Sequence, residues 1–576
     1  MPVIAVLLLP TITIAGTIPT QVSINYIVQG TIFATAQTQF EEGVLYQVDT
    51  TTDSDEVYLQ ARSDWYSALW DYRKPITITN NSGGALTDYQ VKVTLNTQTI
   101  VSAGKMQADG DDIRFTQSNG TTEIYYWIES GINTSSTSIW TKVPSIPTGD
   151  STIYIYYGKS DATSASSLSN TFTSGSFTDS FADQTNISSS TNIEVTGGEV
   201  ILAEDSGQNP LSDDFESDLT KWDGNGTTSW ALATDQYHDG SQSVKADDGN
   251  EGNLTSDDVN LSDAKTATLD FWFRKDTIDS TDFTLYFYNG TTYDLIDEMD
   301  DNGADATWLH YDTVSIDLNT YDITNFRIRF DATLDAGELV WVDQLTVTKT
   351  PYKTSGDVTS VTIPTDTNTR FAVGNQLSWN DTEPTNTDLI YQLYYYNSTW
   401  QLIPDSTLSG NSTGFDTSSV NISSVTTNYD QIRIKGSLST TDTSETSSIQ
   451  DWTVTYNHRK YTSTEPTTSN GTEEGYYYAS GTLASKVYNT YLTGVSWTKL
   501  SWDEVLASGT DITFEVRASD TIFLKDAVSP SWNSVGGTSP VDSSLPSGKY
   551  KQWRATLTNT DPAQTPTLEE VVVLYK

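Results

Sequence analysis

The chain has 576 residues, enough for three to five domains at roughly 100–200 residues each. Its 76 acidic residues against 30 basic ones give a formal net charge of -46, which repels nucleic-acid phosphates and anionic lipid headgroups and so excludes nucleic acid as a partner. Cysteine is absent and histidine is limited to His238, His310 and His458, which leaves no material for disulfides, thiol catalysis, zinc–thiolate sites or a multi-histidine metal centre.

Aromatic residues, threonine and serine are abundant, and no long segment repeats apolar residues at helical spacing. Period-two runs recur instead, as in Ile76-Thr77-Ile78-Thr79, Ile153-Tyr154-Ile155-Tyr156, Phe326-Arg327-Ile328-Arg329-Phe330 and Trp452-Thr453-Val454-Thr455-Tyr456. Glycine, asparagine, aspartate and serine clusters separate them. The pattern predicts an all-β chain, a tandem array of β-sandwich and jelly-roll domains behind an apolar amino-terminal assembly segment.

In chain order, residues 1–40 come first and carry no charge at all. A secretory signal needs a basic start, which is lacking, although Ile14-Ala15-Gly16 could pass as a cleavage site. A membrane span needs about 18–20 continuous apolar residues, and Pro10 and Pro19 interrupt this one. Pro2-Val3-Ile4-Ala5-Val6-Leu7-Leu8-Leu9 resembles the start of archaeal type IV pilins, against which each internal proline removes a helix hydrogen bond. Residues 11–18 and 22–28 alternate like strands, and Leu8-Leu9-Pro10-Thr11-Ile12-Thr13-Ile14-Ala15-Gly16-Thr17 resembles the Leu-Pro-x-x-Thr-x-x-Gly-Thr repeats that open some tailed-phage virion proteins. Apolar strands with free edges seek a partner sheet. Residues 1–40 are therefore expected to dock into further copies of the chain or other assembly proteins; the alternative is that they pack on the domain behind them. Residues 41–64 read as connecting strands.

Residues 65–208 are expected to form a β-sandwich. Here Trp70-Asp71-Tyr72-Arg73-Lys74-Pro75-Ile76-Thr77-Ile78 is followed by Asp88-Tyr89-Gln90-Val91-Lys92-Val93 and Asp109-Gly110-Asp111-Asp112-Ile113-Arg114-Phe115. Then come Tyr126-Trp127-Ile128-Glu129, Trp140-Thr141-Lys142-Val143-Pro144 and the close Ile153-Tyr154-Ile155-Tyr156-Tyr157-Gly158. In this order the strings resemble an uncharacterised domain family of archaeal and bacterial extracellular proteins. The resemblance implies a β-sandwich on surface proteins and carries no activity.

Residues 209–352 contain Asp214-Phe215-Glu216, Trp222, His238-Asp239-Gly240-Ser241-Gln242-Ser243-Val244, Leu269-Asp270-Phe271-Trp272-Phe273 and Trp341-Val342-Asp343-Gln344-Leu345. These resemble jelly rolls of the concanavalin-like or carbohydrate-binding kind. The resemblance implies that the first and last strands lie side by side, where a carboxylate from each end can share a calcium ion. Asp214, Glu216, Asp239 and Asp343 are the candidate ligands; the competing reading makes them turn and surface acids. No other cofactor is expected.

Residues 353–460 and 476–576 read as two copies of one sandwich, joined by an exposed linker at 461–475. Leu377-Ser378-Trp379 aligns with Leu500-Ser501-Trp502, Tyr429-Asp430-Gln431-Ile432-Arg433 with Tyr550-Lys551-Gln552-Trp553-Arg554, and Trp452-Thr453-Val454-Thr455-Tyr456 with Val571-Val572-Val573-Leu574-Tyr575. Such a near-constant offset marks an internal repeat. Arg433 and Arg554, on alternating strands near acidic loops, are expected to make structural ion pairs.

Catalytic strings are absent. Gly410-Asn411-Ser412-Thr413-Gly414 has the form of a nucleophile elbow but lies in a polar loop with no helix behind it. Asp300-Asp301-Asn302-Gly303-Ala304-Asp305 reads as a turn. Tyr394-Tyr395-Tyr396 and Tyr476-Tyr477-Tyr478 offer rings to sugars or to cross-strand packing. N-glycosylation strings begin at Asn80, Asn119, Asn133, Asn186, Asn225, Asn253, Asn260, Asn289, Asn380, Asn397, Asn411, Asn421 and Asn470. Together these features point to a non-enzymatic extracellular structural or attachment protein. A virion surface component (fibre, spike or tail-associated) of an archaeal or halophilic host system comes first, oligomerising through its amino end and contacting a host receptor or glycan. A pilin-like filament or adhesion subunit is the alternative, and a carbohydrate-binding protein the second alternative.

Overall fold

The computed structural model describes residues 30–34, 37–53, 55–222, 230–248, 252–536, 538–561 and 563–576. Their regular structure is antiparallel strand, joined by helices of at most six residues, so the chain is all-β. None of those helices is long and apolar enough to cross a membrane. The chain gathers into two compact units, one of residues 1–172 with 462–576 and one of residues 173–461.

The second unit holds two sandwiches, one inserted into the chain of the other. In the inner one the last strand, Leu339–Thr350, pairs along one edge with the first strand, Gln208–Asp213, and with Ser243–Asp247. Its other edge takes Thr266–Asp276. The facing sheet runs Gly252–Thr255, Arg327–Ala332, Phe283–Tyr288, Tyr293–Glu298. Every second residue of Thr266–Asp276 is buried, and Leu269, Phe271 and Phe273 meet Phe283, Leu285 and Phe330 in the core. Each such side chain contributes about 1.5–3 kcal/mol through burial.

The outer sandwich repeats this plan. Its last strand, Ser448–Lys460, pairs with Thr173–Asp179 and then with Glu199–Leu202 on one edge, and with Thr369–Thr382 on the other. The facing sheet runs Ile187–Thr191, Ser355–Ser360, Ile432–Thr440, Thr387–Asn397, Thr399–Leu402. Residues 173–202, expected to close the sandwich begun at 65, therefore belong to the one that ends at 460.

The first unit also holds two sandwiches. In one, Tyr72–Asn80 pairs with Gly149–Tyr157, and Leu86–Leu95 with Thr137–Ile146. The expected linker supplies a strand here, Thr467–Asn470, which pairs with Tyr72–Asn80. The family-like strings are core and turn chemistry. Arg73 is 2% exposed, bonded to Asp64 at 2.9 Å and Glu474 at 2.7 Å, and lies over Tyr154. Asp112 Oδ2 accepts the Gly158 N–H at 2.7 Å. Gly158 holds φ at +104° where a Cβ would strike Tyr72, which accounts for the Tyr-Gly close.

In the other sandwich of this unit the last strand, Thr567–Tyr575, pairs with Gly30–Ala34 and with Trp497–Val505, and Val57 bridges Leu568. The facing sheet runs Val44–Tyr46, Ser480–Ala484, Tyr550–Asn559, Thr510–Ser519, Asn533–Val535. Ala34, Phe40, Val57 and Leu59 are buried in its core. Residues 30–61 are thus part of the carboxy-terminal sandwich and not a docking arm with connecting strands. Residues 1–29, which carry the rest of the docking expectation, lie outside the described residues.

Three of the four sandwiches share one plan and one buried hydroxyl. Ser256, Ser360 and Ser485 are at most 1% exposed. Each accepts a backbone N–H from the neighbouring strand, that of Ile328, Ile434 and Trp553 respectively. Each donates to the carbonyl of the next residue in its own chain. The repeat seen in sequence is therefore threefold and includes upstream strands. Leu377 opposite Val454 matches Leu500 opposite Val573. The serine register equates Ile434 with Trp553, which moves the sequence alignment of Arg433 with Arg554 by two residues; Arg554 corresponds to Lys435. Replacing Ser256, Ser360 or Ser485 by alanine orphans a buried N–H, and each variant should unfold about 1–3 kcal/mol more easily in denaturant titrations.

Lys551 is fully buried and donates to the Val495 carbonyl at 2.6 Å. Burial outweighs nearby Asp520 and pulls its pKa from 10.5 down to about 7. Between those values the unfolded chain holds the proton and the folded chain does not, so stability rises with pH over that window. Lys551→Met should flatten this rise and stabilise the first unit below pH 7, as read by urea unfolding across the window.

Candidate binding site

The outer face of the five-stranded sheet of the 173–202/353–460 sandwich carries a hollow of about 360 Å³. Alternation builds it. On Ile432–Thr440 the even-numbered set Ile432, Ile434, Gly436 and Leu438 is buried, so Arg433 and Lys435 point outward. Tyr394 stands opposite Arg433, and Thr359 opposite Lys435. Ser189 and Thr191 face Thr359 and Asp357 from the edge strand. Trp400 reaches in from the hairpin Thr387–Asn397/Thr399–Leu402. A second hollow of about 300 Å³ shares Thr191 and Asp357 with the first, so the face has length for more than one ring-sized group.

The chemistry of the hollow is mixed. The Arg433 guanidinium lies 4.1 Å from the Trp400 ring centroid. Lys435 pairs with Asp357 at 3.0 Å, and Asp357 also accepts from Ser437. Burial lowers the Arg433 pKa. Flat rings, hydroxyls and cations in one concavity suit a polyhydroxylated ring compound.

The sequence-predicted residues fall as follows. Tyr394 lines the hollow and Tyr396 is 46% exposed, so the first tyrosine triplet does present rings. The second packs: Tyr476 sits against Trp65, Tyr477 joins a core, and Arg62 covers Tyr478. Arg554 pairs with Glu515 as expected. Arg433 does not, and no carboxylate among the described residues lies within ion-pair distance of it. The Ser412 hydroxyl donates to Asp405 at 2.5 Å, a turn contact and not a triad. Trp400 and Lys435 carried no sequence signal beyond strand alternation.

The calcium candidates lie in the inner sandwich, whose first and last strands are side by side. Glu216 accepts the Ser241 and Gln242 N–H groups at 2.7 and 2.8 Å. Asp343, fully buried, accepts those of His238 and Asp239 at 2.7 and 3.2 Å. Burial pushes the Asp343 pKa up, and hydrogen bonds pull that of Glu216 down. Asp239 accepts from Gln344, and Asp214 from Glu216 N–H. The fold gathers three of the four at one loop, yet no three of them bring ligand atoms within 4.8 Å of one another. Their oxygens serve backbone amides. Among the described residues, the sets that do converge are Asp270, His310, Asp312 and Asp279, Asp282, Glu338. Beside the first set, Trp272 is stacked between His238 at 3.7 Å and His310 at 4.3 Å.

Asn80 and Asn411 are at most 1% exposed. The Asn80 amide donates to the Gly84, Ile146 and Pro147 carbonyls, and that of Asn411 to Leu393 and Ile403. Buried and committed, neither can take a glycan in the folded chain. Asn119, Asn133, Asn260, Asn380, Asn397, Asn421 and Asn470 are exposed, and Asn186, Asn253 and Asn289 half-buried. Asn225 lies outside the described residues.

A family model described as a domain of unknown function (DUF2341) matches residues 109–193, a stretch that runs from the first unit into the second. No curated protein matches. Among solved structures, the chain is similar to the amino-terminal CBM22-1–CBM22-2 tandem domain of Paenibacillus barcinonensis Xyn10C, at 12% identity and a TM-score of 0.19, over 45% of this chain and 98% of that one. It is also similar to the ANX2 ectodomain of Arabidopsis thaliana, at 10% identity and a TM-score of 0.15, over 54% and 88%. Scores this low speak to neither ligand nor partner.

If Glu216 and Asp343 act as loop anchors, Glu216→Ala should lower the melting temperature of the intact protein, while excess chelator leaves it unmoved. A chelator-induced drop reversed by calcium would support the metal reading instead.

Proposed function

We propose that this chain is a non-enzymatic extracellular attachment protein that contacts glycans through the hollow on the 173–202/353–460 sandwich. The observation that carries this reading is the hollow itself, where Trp400 and Tyr394 stand beside serine and threonine hydroxyls and two cations. A sugar ring offers C–H faces to the first and hydroxyls to the second. The excess of surface acid suits salt water, where screening weakens self-repulsion. A virion surface component of an archaeal or halophilic host is the setting that this charge and the uncharged leader support best, with residues 1–29 gripping neighbouring subunits.

Two measurements test this. Trp400→Ala should weaken binding to any glycan retained by the intact protein at least tenfold, about 1.4 kcal/mol, without lowering the melting temperature. Unchanged glycan retention would remove the hollow from the reading. Deleting residues 1–29 spares Gly30–Ala34 and Phe40, so it should leave thermal stability intact and abolish self-association in sedimentation; assembly that survives the deletion refutes the docking role.

A further inference from the structure

The chain supplies its own control for Arg433. In the inner sandwich of the same unit, the serine register places Arg327 where Arg433 stands, since Ile328 and Ile434 are the two residues whose N–H groups meet Ser256 and Ser360. Arg327 faces Tyr288 across the strands, as Arg433 faces Tyr394. Two residues beyond the buried serine comes Asp258 in one sandwich and Thr362 in the other. Asp258 Oδ1 accepts the Arg327 Nε at 2.6 Å. Thr362 offers Arg433 only a hydroxyl, 3.4 Å from Nη2. The Arg433 Nε is buried and has no hydrogen-bond partner. In a chain with 76 acids for 30 bases, the acid that neutralises this arginine in one copy is replaced by threonine in the copy that carries the hollow.

We infer that the hollow takes an acidic sugar, a uronate residue whose carboxylate completes the guanidinium of Arg433. A planar guanidinium offers a carboxylate two parallel N–H bonds, and Asp258 makes one such contact in the inner copy. The pyranose ring lies against Tyr394 and Trp400, and its hydroxyls face Ser189, Ser190 and Thr359. Lys435 is already held by Asp357, so the preference for charge rests on Arg433. This inference rests on the glycan reading above and names its ligand class.

The test compares an oligogalacturonide with the neutral galactose oligosaccharide of the same length and linkage, by calorimetry on the full chain in physiological salt. The acidic ligand should bind at least tenfold tighter. Thr362→Asp, which installs the neutralising acid of the inner sandwich, should erase that preference and leave neutral binding unchanged. Arg433→Gln should also erase the preference for the acidic ligand, and it keeps the test open if the first variant misfolds. Equal binding of the two ligands by the native chain, or a preference that survives Arg433→Gln, overturns the inference while leaving a glycan site in place. Binding of neither ligand overturns it together with the reading it rests on.

Discussion

The pairing of each sandwich's first strand with its last is the constraint on which the rest of the structure depends. Without Gly30–Ala34, Thr173–Asp179 and Gln208–Asp213, the last strands Thr567–Tyr575, Ser448–Lys460 and Leu339–Thr350 would each leave part of one edge unpaired. Covering those edges from upstream is what nests the chain. In each of these sandwiches the first strand and a short hairpin are laid down, and the chain then continues to the strand that carries the buried serine. In the inner sandwich that joint spans only residues 248–251, between Ser243–Asp247 and Gly252–Thr255. In the other two sandwiches the same joint holds whole domains. Closure entropy grows only logarithmically with the length of the insert, about 0.6 kcal/mol per doubling, so an insertion there costs little. A folded insert costs less still when its ends are already together. Glu204 bridges Tyr352, and Asp205 N–H meets the Pro351 carbonyl, on either side of the inner sandwich.

Period-two alternation made the sheet class legible, because half-buried strands leave that mark whatever their partners. The repeat of the last strands and the strands paired with them was also legible, since Leu377 and Trp379 on Thr369–Thr382 and Leu500 and Trp502 on Trp497–Val505 are large core residues that tolerate little change of kind. The nesting was not. Thr173–Asp179 and Ile187–Thr191 are short and rich in serine and threonine, and Thr467–Asn470 is threonine, serine and asparagine throughout. Such strands bury few side chains of their own; their register is set by the edge they cover, which local sequence does not name. The same holds for residues 30–40, where the apolar character that suggested an external partner is used on the chain's own core.

The hollow was half legible for a related reason. A tyrosine triplet in a strand must expose a ring, and Tyr394 was visible on that ground. Trp400, Lys435, Thr359 and Ser189 come from four strands that only the sheet order brings together, so no string contains them. Arg433 was visible as a residue, but its lack of a partner depends on Thr362, seventy-one residues upstream in the chain, and on the comparison with Asp258 and Arg327.

Charge ties these points together. With so few cations, many carboxylates find another use: they cap turns. Asp183, Asp218, Asp317 and Asp405 accept N–H or hydroxyl groups of Thr185, Thr220, Asn319 and Ser412, and those bonds hold their pKa values below the ordinary range. Stability from such groups is present above the unfolded carboxylate range and drains away as pH falls through the folded values. Glu216 belongs with them, and Asp343 performs the same task from a buried position at the opposite sign, its pKa raised by burial. These acids serve as internal scaffolding, two or three residues at a time. Against that background a half-buried guanidinium with no carboxylate is expensive to keep. Stacking on Trp400 offsets part of the cost by cation–π attraction, and the remainder is recovered when a carboxylate arrives from outside.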